Sequence, residues 1–98
     1  MIGITMGDPA GVGPEIILKT VAGMSKADRA ETSIFGCVTT LEAAQVPAGT
    51  ILVLGRDVTV HDVAVDGAPL PFGKLDPRAG DAAFRCVAAA VEAALEGR

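Results

Sequence analysis

The chain has 98 residues, half of them hydrophobic, and its 8 Lys and Arg stand against 12 Asp and Glu, for a net charge of −4. That length holds one compact domain at most, and an acidic chain whose basic residues are scattered along the sequence excludes an extended nucleic-acid surface. No window reaches the roughly 18 unbroken apolar residues of a membrane helix, and no basic stretch followed by an apolar core opens the chain, so a cytoplasmic location is expected. Aromatic residues make up only 3% and there is no Trp or Tyr. The core must therefore be built from Ala, Val, Ile and Leu, side chains that pack well between layers of sheet and helix, which points to the α/β class.

Ile2 and Ile4 stand two apart with Thr5 closing the run, the pattern of a buried opening strand. Thr5 to Glu15 then reads T-M-G-D-P-A-G-V-G-P-E. Gly7, Gly11 and Gly13 can take positive φ or admit another group close to the backbone, and Pro9 stiffens the turn between them. Pro14 suits the first position of a helix and Glu15 its first turn, where the helix dipole favours negative charge, so a helix is expected from about Pro14 to Met24. Free N–H groups at such a helix start can hold an oxygen-bearing ligand. Asp8 and Glu15 would repel a bare phosphate, and the nearest lysine, Lys19, is more than a turn away. The spacing fits neither G-x-G-x-x-G nor a P-loop. A ligand-facing loop and a plain strand-to-helix turn both account for these residues.

Further along, Ser33–Val38 reads as a second strand, and Thr39 or Thr40 is expected to cap a short helix through Gln45, with Glu42 returning the cap and Pro47 and Gly49 ending it. Ile51–Leu54 has the length and character of a buried strand, and Val58–Val65 alternates like an edge strand. Asp66-Gly67 signals a turn, Pro69 and Pro71 an irregular connection, and 66–77 the most flexible stretch. Asp76 as cap and Pro77 in the first turn begin the longest helix, through Glu96, with Ala79, Ala83, Cys86, Val87, Ala90, Val91, Ala94 and Leu95 on its packing face and Gly97 as its stop. Cys37 and Cys86 match no C-x-x-C pattern and are expected as buried thiols in a reducing compartment. His61, alone in a Val-His-Asp-Val setting, is expected to be an exposed or hydrogen-bonded structural residue and not a metal ligand.

Two strings carry a more specific signal. T-M-G-D-P-A-G-V-G-P-E-I-I-L-K from Thr5, and K-L-D-P-R-A-G-D-A-A-F-R-C-V-A-A-A-V-E-A-A-L-E-G-R from Lys74, closely resemble the opening and an interior helix of the 4-hydroxythreonine-4-phosphate dehydrogenase family of vitamin B6 (pyridoxine) biosynthesis. The segment between them matches only in general pattern. The family also includes relatives acting on other phosphorylated hydroxy acids, such as 4-phospho-threonate or erythronate. On this resemblance, residues 1–98 form the N-terminal α/β segment of a larger two-domain oxidoreductase with an architecture like isocitrate and isopropylmalate dehydrogenases.

The resemblance implies that the complete enzyme is a homodimer that oxidises and decarboxylates 4-phosphohydroxy-L-threonine with NAD or NADP. It also implies a divalent metal (zinc, magnesium or cobalt) held by residues outside this chain. By analogy with enzymes of that architecture, Gly7, Asp8, Pro9, Ala10, Gly11, Val12 and Gly13 would line the cofactor side of the cleft. No catalytic or metal-binding residue is expected within the chain, which alone should be inactive. The partners implied are a small phosphorylated hydroxy acid, with neither nucleic acid nor membrane. The rival reading from another class is a non-catalytic module that binds an anion or a protein through its first loop.

Overall fold

The computed structural model describes residues 2–7, 11, 13–65, 67–70 and 77–96. Three parallel strands in the order β1-β2-β3 form its sheet: β1 Ile2–Thr5, β2 Thr32–Gly36 and β3 Thr59–Asp62. In register, Ile4 lies opposite Ile34 and Ile34 opposite Val60. Between β1 and β2 run α1 (Gly13–Ala22) and the short α2 (Lys26–Ala30); α3 (Val38–Ala48) joins β2 to β3, and α4 (Pro77–Leu95) follows. The α/β expectation holds.

Right-handed crossovers in a sheet of this order put α1 and α3 on the same face, where they pack against each other. Ile17, Leu18 and Val21 of α1 and Leu41, Ala44 and Ala48 of α3 are buried there. The opposite face carries Phe35 and His61, which stack with ring centroids 4.5 Å apart and share a recess with Ala89, Glu92 and Ala93 of α4. Central β2 is buried at every position because it is covered on both sides. The edge strand β1 is not: Ile2 is half exposed, so the buried opening strand expected from its two isoleucines is a partly solvated one.

Other departures have local causes. The helix α2 was not anticipated, although Ser25-x-x-Asp28 is a start signal; the Ser25 hydroxyl accepts from the Asp28 N–H at 3.1 Å. The second strand stops at Gly36 and α3 begins at Val38, ahead of the cap expected at Thr39 or Thr40. Cys37 stands at the N-cap without a side-chain bond, and the Val38 N–H donates instead to Oδ1 of Asp62, 3.0 Å away at the end of β3. Pro47 lies inside the last turn of α3, and the helix ends at Gly49, whose φ of 71° allows its N–H to close onto the preceding carbonyls.

Ile51–Leu54 is not a strand; Ile51 is 95% exposed and only Leu54 forms a bridge, to Val58. Side chains have taken its backbone groups. The Gln45 amide bonds both the N–H and the C=O of Leu52, and the Val53 N–H donates to Asp57 Oδ2 at 2.7 Å. The expected edge strand narrows to Thr59–Asp62. The packing face of α4 is also rotated: Ala79, Ala82, Cys86 and Ala93 are buried, whereas Val87, Val91 and Leu95 of the expected face point to solvent together with Phe84. Asp66, Pro71, Lys74, Asp76 and Gly97, and with them part of the expected 66–77 stretch, lie outside the described residues.

Candidate functional site

The first loop leaves the sheet at the carboxyl end of β1, the end at which open α/β sheets present their ligand crevices. Met6 continues the pairing by donating its N–H to the Phe35 carbonyl at 2.9 Å, and its side chain is fully buried. Gly7 follows with φ of 74°, a conformation that glycine adopts without strain. At Gly13 the constraint is proximity: a Cβ there would lie 2.6 Å from the Met6 carbonyl oxygen. The two glycines fold the loop's ends against each other and set the start of α1 against the Met6 carbonyl. Asp8, Pro9, Ala10 and Val12, the other expected ligand-facing positions with Gly11, lie outside the described residues.

Gly11, Pro14 and Glu15 form one wall of a cavity of ≈ 290 Å³. Thr40, Ala43, Ala44 and Pro47 of α3 form the facing wall, and Pro69 and Leu70 close it. The spacing 40, 43, 44, 47 is one helical face, a signal that could have been read from sequence once α3 was extended through Pro47. Most of this lining is apolar. Two polar groups stand out: the Glu15 carboxylate in the first turn of α1, and Thr40, whose side chain is 4% exposed and whose Oγ1 makes no hydrogen bond of normal geometry among the described residues. The sequence suggests Thr39 or Thr40 as a helix cap; because the helix starts earlier, Thr40 lies inside it with its side chain beside the Cys37 thiol.

Cys37 and Cys86 are buried free thiols, as expected. Burial pushes the Cys37 thiol up, but the Thr40 side chain and the N–H groups of Thr40, Val65 and Thr39 around the sulfur together hold it below its ordinary value. For Cys86 burial prevails and the thiol is pushed up, in spite of the Met6 backbone and the Arg85 charge. His61 is partly buried and held by its stack on Phe35. Among the described residues no three His, Cys, Asp or Glu side chains converge so as to hold a metal, and no helix is long and apolar enough to cross a membrane.

A parallel sheet with crossover helices and a glycine turn at the end of its first strand defines this as an α/β chain of the kind that builds ligand clefts. No protein-family profile matches it. It is 38% identical, over 93% of its length, to a D-threonate 4-phosphate dehydrogenase of Cupriavidus necator, covering 31% of that enzyme. It is 31% identical, over 99% of its length, to a 4-hydroxythreonine-4-phosphate dehydrogenase of Desulfosudis oleivorans, covering 32% of it. Among solved structures, a 4-hydroxythreonine-4-phosphate dehydrogenase from Burkholderia phymatum superposes with a TM-score of 0.87 at 34% identity, over 98% of this chain and 33% of that one. Along its whole length the chain is thus similar in sequence and in fold to part of proteins named as 4-hydroxythreonine-4-phosphate and D-threonate 4-phosphate dehydrogenases. It spans about a third of the length of the relatives it matches.

Proposed function

We propose that residues 1–98 form the N-terminal α/β segment of an NAD(P)-linked dehydrogenase of a phosphorylated hydroxy acid, with the Gly7–Gly13 loop on the cofactor side of its cleft. The observation that carries this reading is the likeness over 98% of the chain, at 34% identity, to a solved dehydrogenase structure. The first substrate reading is 4-phosphohydroxy-L-threonine, oxidised and decarboxylated in pyridoxal phosphate synthesis. The 38% identity to the C. necator enzyme favours D-threonate 4-phosphate as the second. The two-domain, isocitrate dehydrogenase-like architecture, the homodimer and the cytoplasmic location belong to the same proposal.

The cavity chemistry supports the adenosine end of the cofactor over its pyrophosphate. A slot whose described lining is largely apolar, with the Glu15 carboxylate, repels phosphate but accepts hydrogen bonds from ribose hydroxyls or an exocyclic amine, and Thr40 can donate or accept. Gly11 and Pro14 would form the wall against which the ring system lies. The nicotinamide, when bound, supplies the hydride acceptor. The chain's own part is to bind and orient the cofactor's far end. The described residues do not fit the divalent metal that the family resemblance implies, so no step is derived from it.

Titration with NAD, NADP and ADP-ribose, followed by two-dimensional amide NMR, tests this reading. Saturable shifts at Gly11, Glu15 and Thr40, weakened in Thr40→Val, are expected; dinucleotide binding that leaves these amides unmoved would overturn it. In an assay with a phosphorylated hydroxy acid, NAD and added zinc or magnesium, the chain alone should form no NADH above background.

A further inference from the structure

We propose that a groove at the amino ends of the strands, away from the glycine loop, together with the recess that shares its arginines, binds the phosphoryl group of a small organophosphate through Arg29, Arg56 and Lys26. The groove, ≈ 430 Å³, lies between Ala22 at the end of α1, Arg29 of α2 and the α3–β3 connection at Thr50, Ile51 and Arg56. A recess of ≈ 170 Å³ shares Arg29, Arg56 and Asp57 with it and adds Lys26. Nothing in this proposal rests on the cofactor reading.

Among the described residues three cations and one carboxylate line the recess, a local excess of +2, and two of those cations continue into the groove, in a chain whose net charge is −4. The excess is not cancelled by Asp28, the acid within α2. Lys26 and Arg29 stand three apart and share a helix face with Ala30, whereas Asp28 points about 200° away from Lys26 at about 100° per residue. Asp57 is also largely committed: its Oδ2 accepts the Val53 N–H, and its Oδ1 is 3.9 Å from Arg56 Nε, beyond hydrogen-bond reach.

The donors, in contrast, are available. Among the described residues the side chains of Lys26 and Arg56 make no hydrogen bond, Arg56 having only its 3.9 Å ion pair with Asp57, and the Arg29 side chain makes one, a long 3.5 Å contact from Nη1 to the Ala22 carbonyl. A guanidinium has five N–H donors in a planar fork, so most of Arg29's remain open. Two forks and an ammonium around one space match a tetrahedral dianion, which takes bidentate contacts and cancels the excess of +2. The apolar part of the ligand is argued from Ile51 and Val53, which line the same groove and stand exposed although both are β-branched and apolar. A phosphate carrying an apolar group would cover them while its charge meets the arginines.

Titration with phenyl phosphate, and with inorganic phosphate as the probe lacking the apolar part, tests the site by amide NMR. Saturable shifts confined to 26–30 and 49–57 are expected, with phenyl phosphate binding several-fold more tightly. Arg56→Glu changes a side chain that is 77% exposed and so should leave the fold intact. It should weaken binding by about tenfold or more, as expected for replacing a charge-assisted contact with a repulsion. Lys19→Ala, on the exposed side of α1, should leave it unchanged. Shifts spread over all basic residues, or wild-type affinity in Arg56→Glu, would overturn the site; equal affinity for the two phosphates would overturn its apolar half. Failure of the cofactor reading would be seen separately, at Gly11, Glu15 and Thr40.

Discussion

The two faces of the sheet are covered by helices of opposite character. On one, α1 and α3 bring large aliphatic side chains inward, with Leu18, Val21, Leu41 and Ile34 fully buried. On the other, α4 turns inward the small residues Ala79, Ala82, Cys86 and Ala93 and turns outward Phe84, Val87, Val91 and Leu95, with Phe84 73% and Leu95 84% exposed. α1 and α4 are both amphipathic in sequence, yet only α1 turns large aliphatic residues, Ile17, Leu18 and Val21, into the core. Small side chains let α4 approach the strands closely enough for Cys86 to reach the Met6 backbone, while Phe35 and His61 fill the space farther along. The lesson is that apolar periodicity identifies a helix but the size of the partner surface chooses which of its faces goes in.

Substitutions can break this contrast. The largest effect is expected on the α1 face: Leu18→Ala empties a fully buried site and should cost about 2–5 kcal/mol, measured by denaturant unfolding. On the α4 face the dangerous change is an enlargement. Ala82→Leu forces extra volume into a fully buried contact and should cost about 1–3 kcal/mol, whereas the same substitution at an exposed alanine of α4 such as Ala88 should be near neutral. Asp62→Ala removes the carboxylate that accepts from the first N–H of α3 and should cost about 1 kcal/mol, with amide exchange fastest at Val38. Smallest of all, Phe84→Ser should change stability by less than about 0.5 kcal/mol in spite of removing an aromatic ring. A large loss there would mean that the outward stripe of α4 is covered in solution.

The same contrast explains what could be read in advance. The β1-loop-α1 unit was legible because its punctuation is local: two isoleucines, a glycine that needs positive φ, a glycine under a carbonyl, then proline and glutamate at a helix start. The start of α3 was not, since its cap comes from Asp62, 24 residues away, and no neighbouring residue announces it. Ile51–Leu54 failed for a related reason. Its composition is that of a strand, but Gln45 and Asp57 satisfy its backbone locally, and the ladder is never needed. Of the candidate site, the glycine wall was visible, while Thr40 and Pro47 joined it only when α3 proved longer at both ends than its cap and proline suggested.

By itself, then, the sequence determined the α/β class, the glycine turn ahead of α1 and the existence of a long helix after Pro77, because turn chemistry and periodicity act within a few residues of one another. Only the tertiary structure decided which face of α4 is buried, which hydroxyl lines the cavity beside Glu15, and that three basic residues scattered at 26, 29 and 56 meet around one recess. Each of these depends on the parallel crossovers, which set distant segments side by side at opposite ends of the strands, and no local preference encodes that distance.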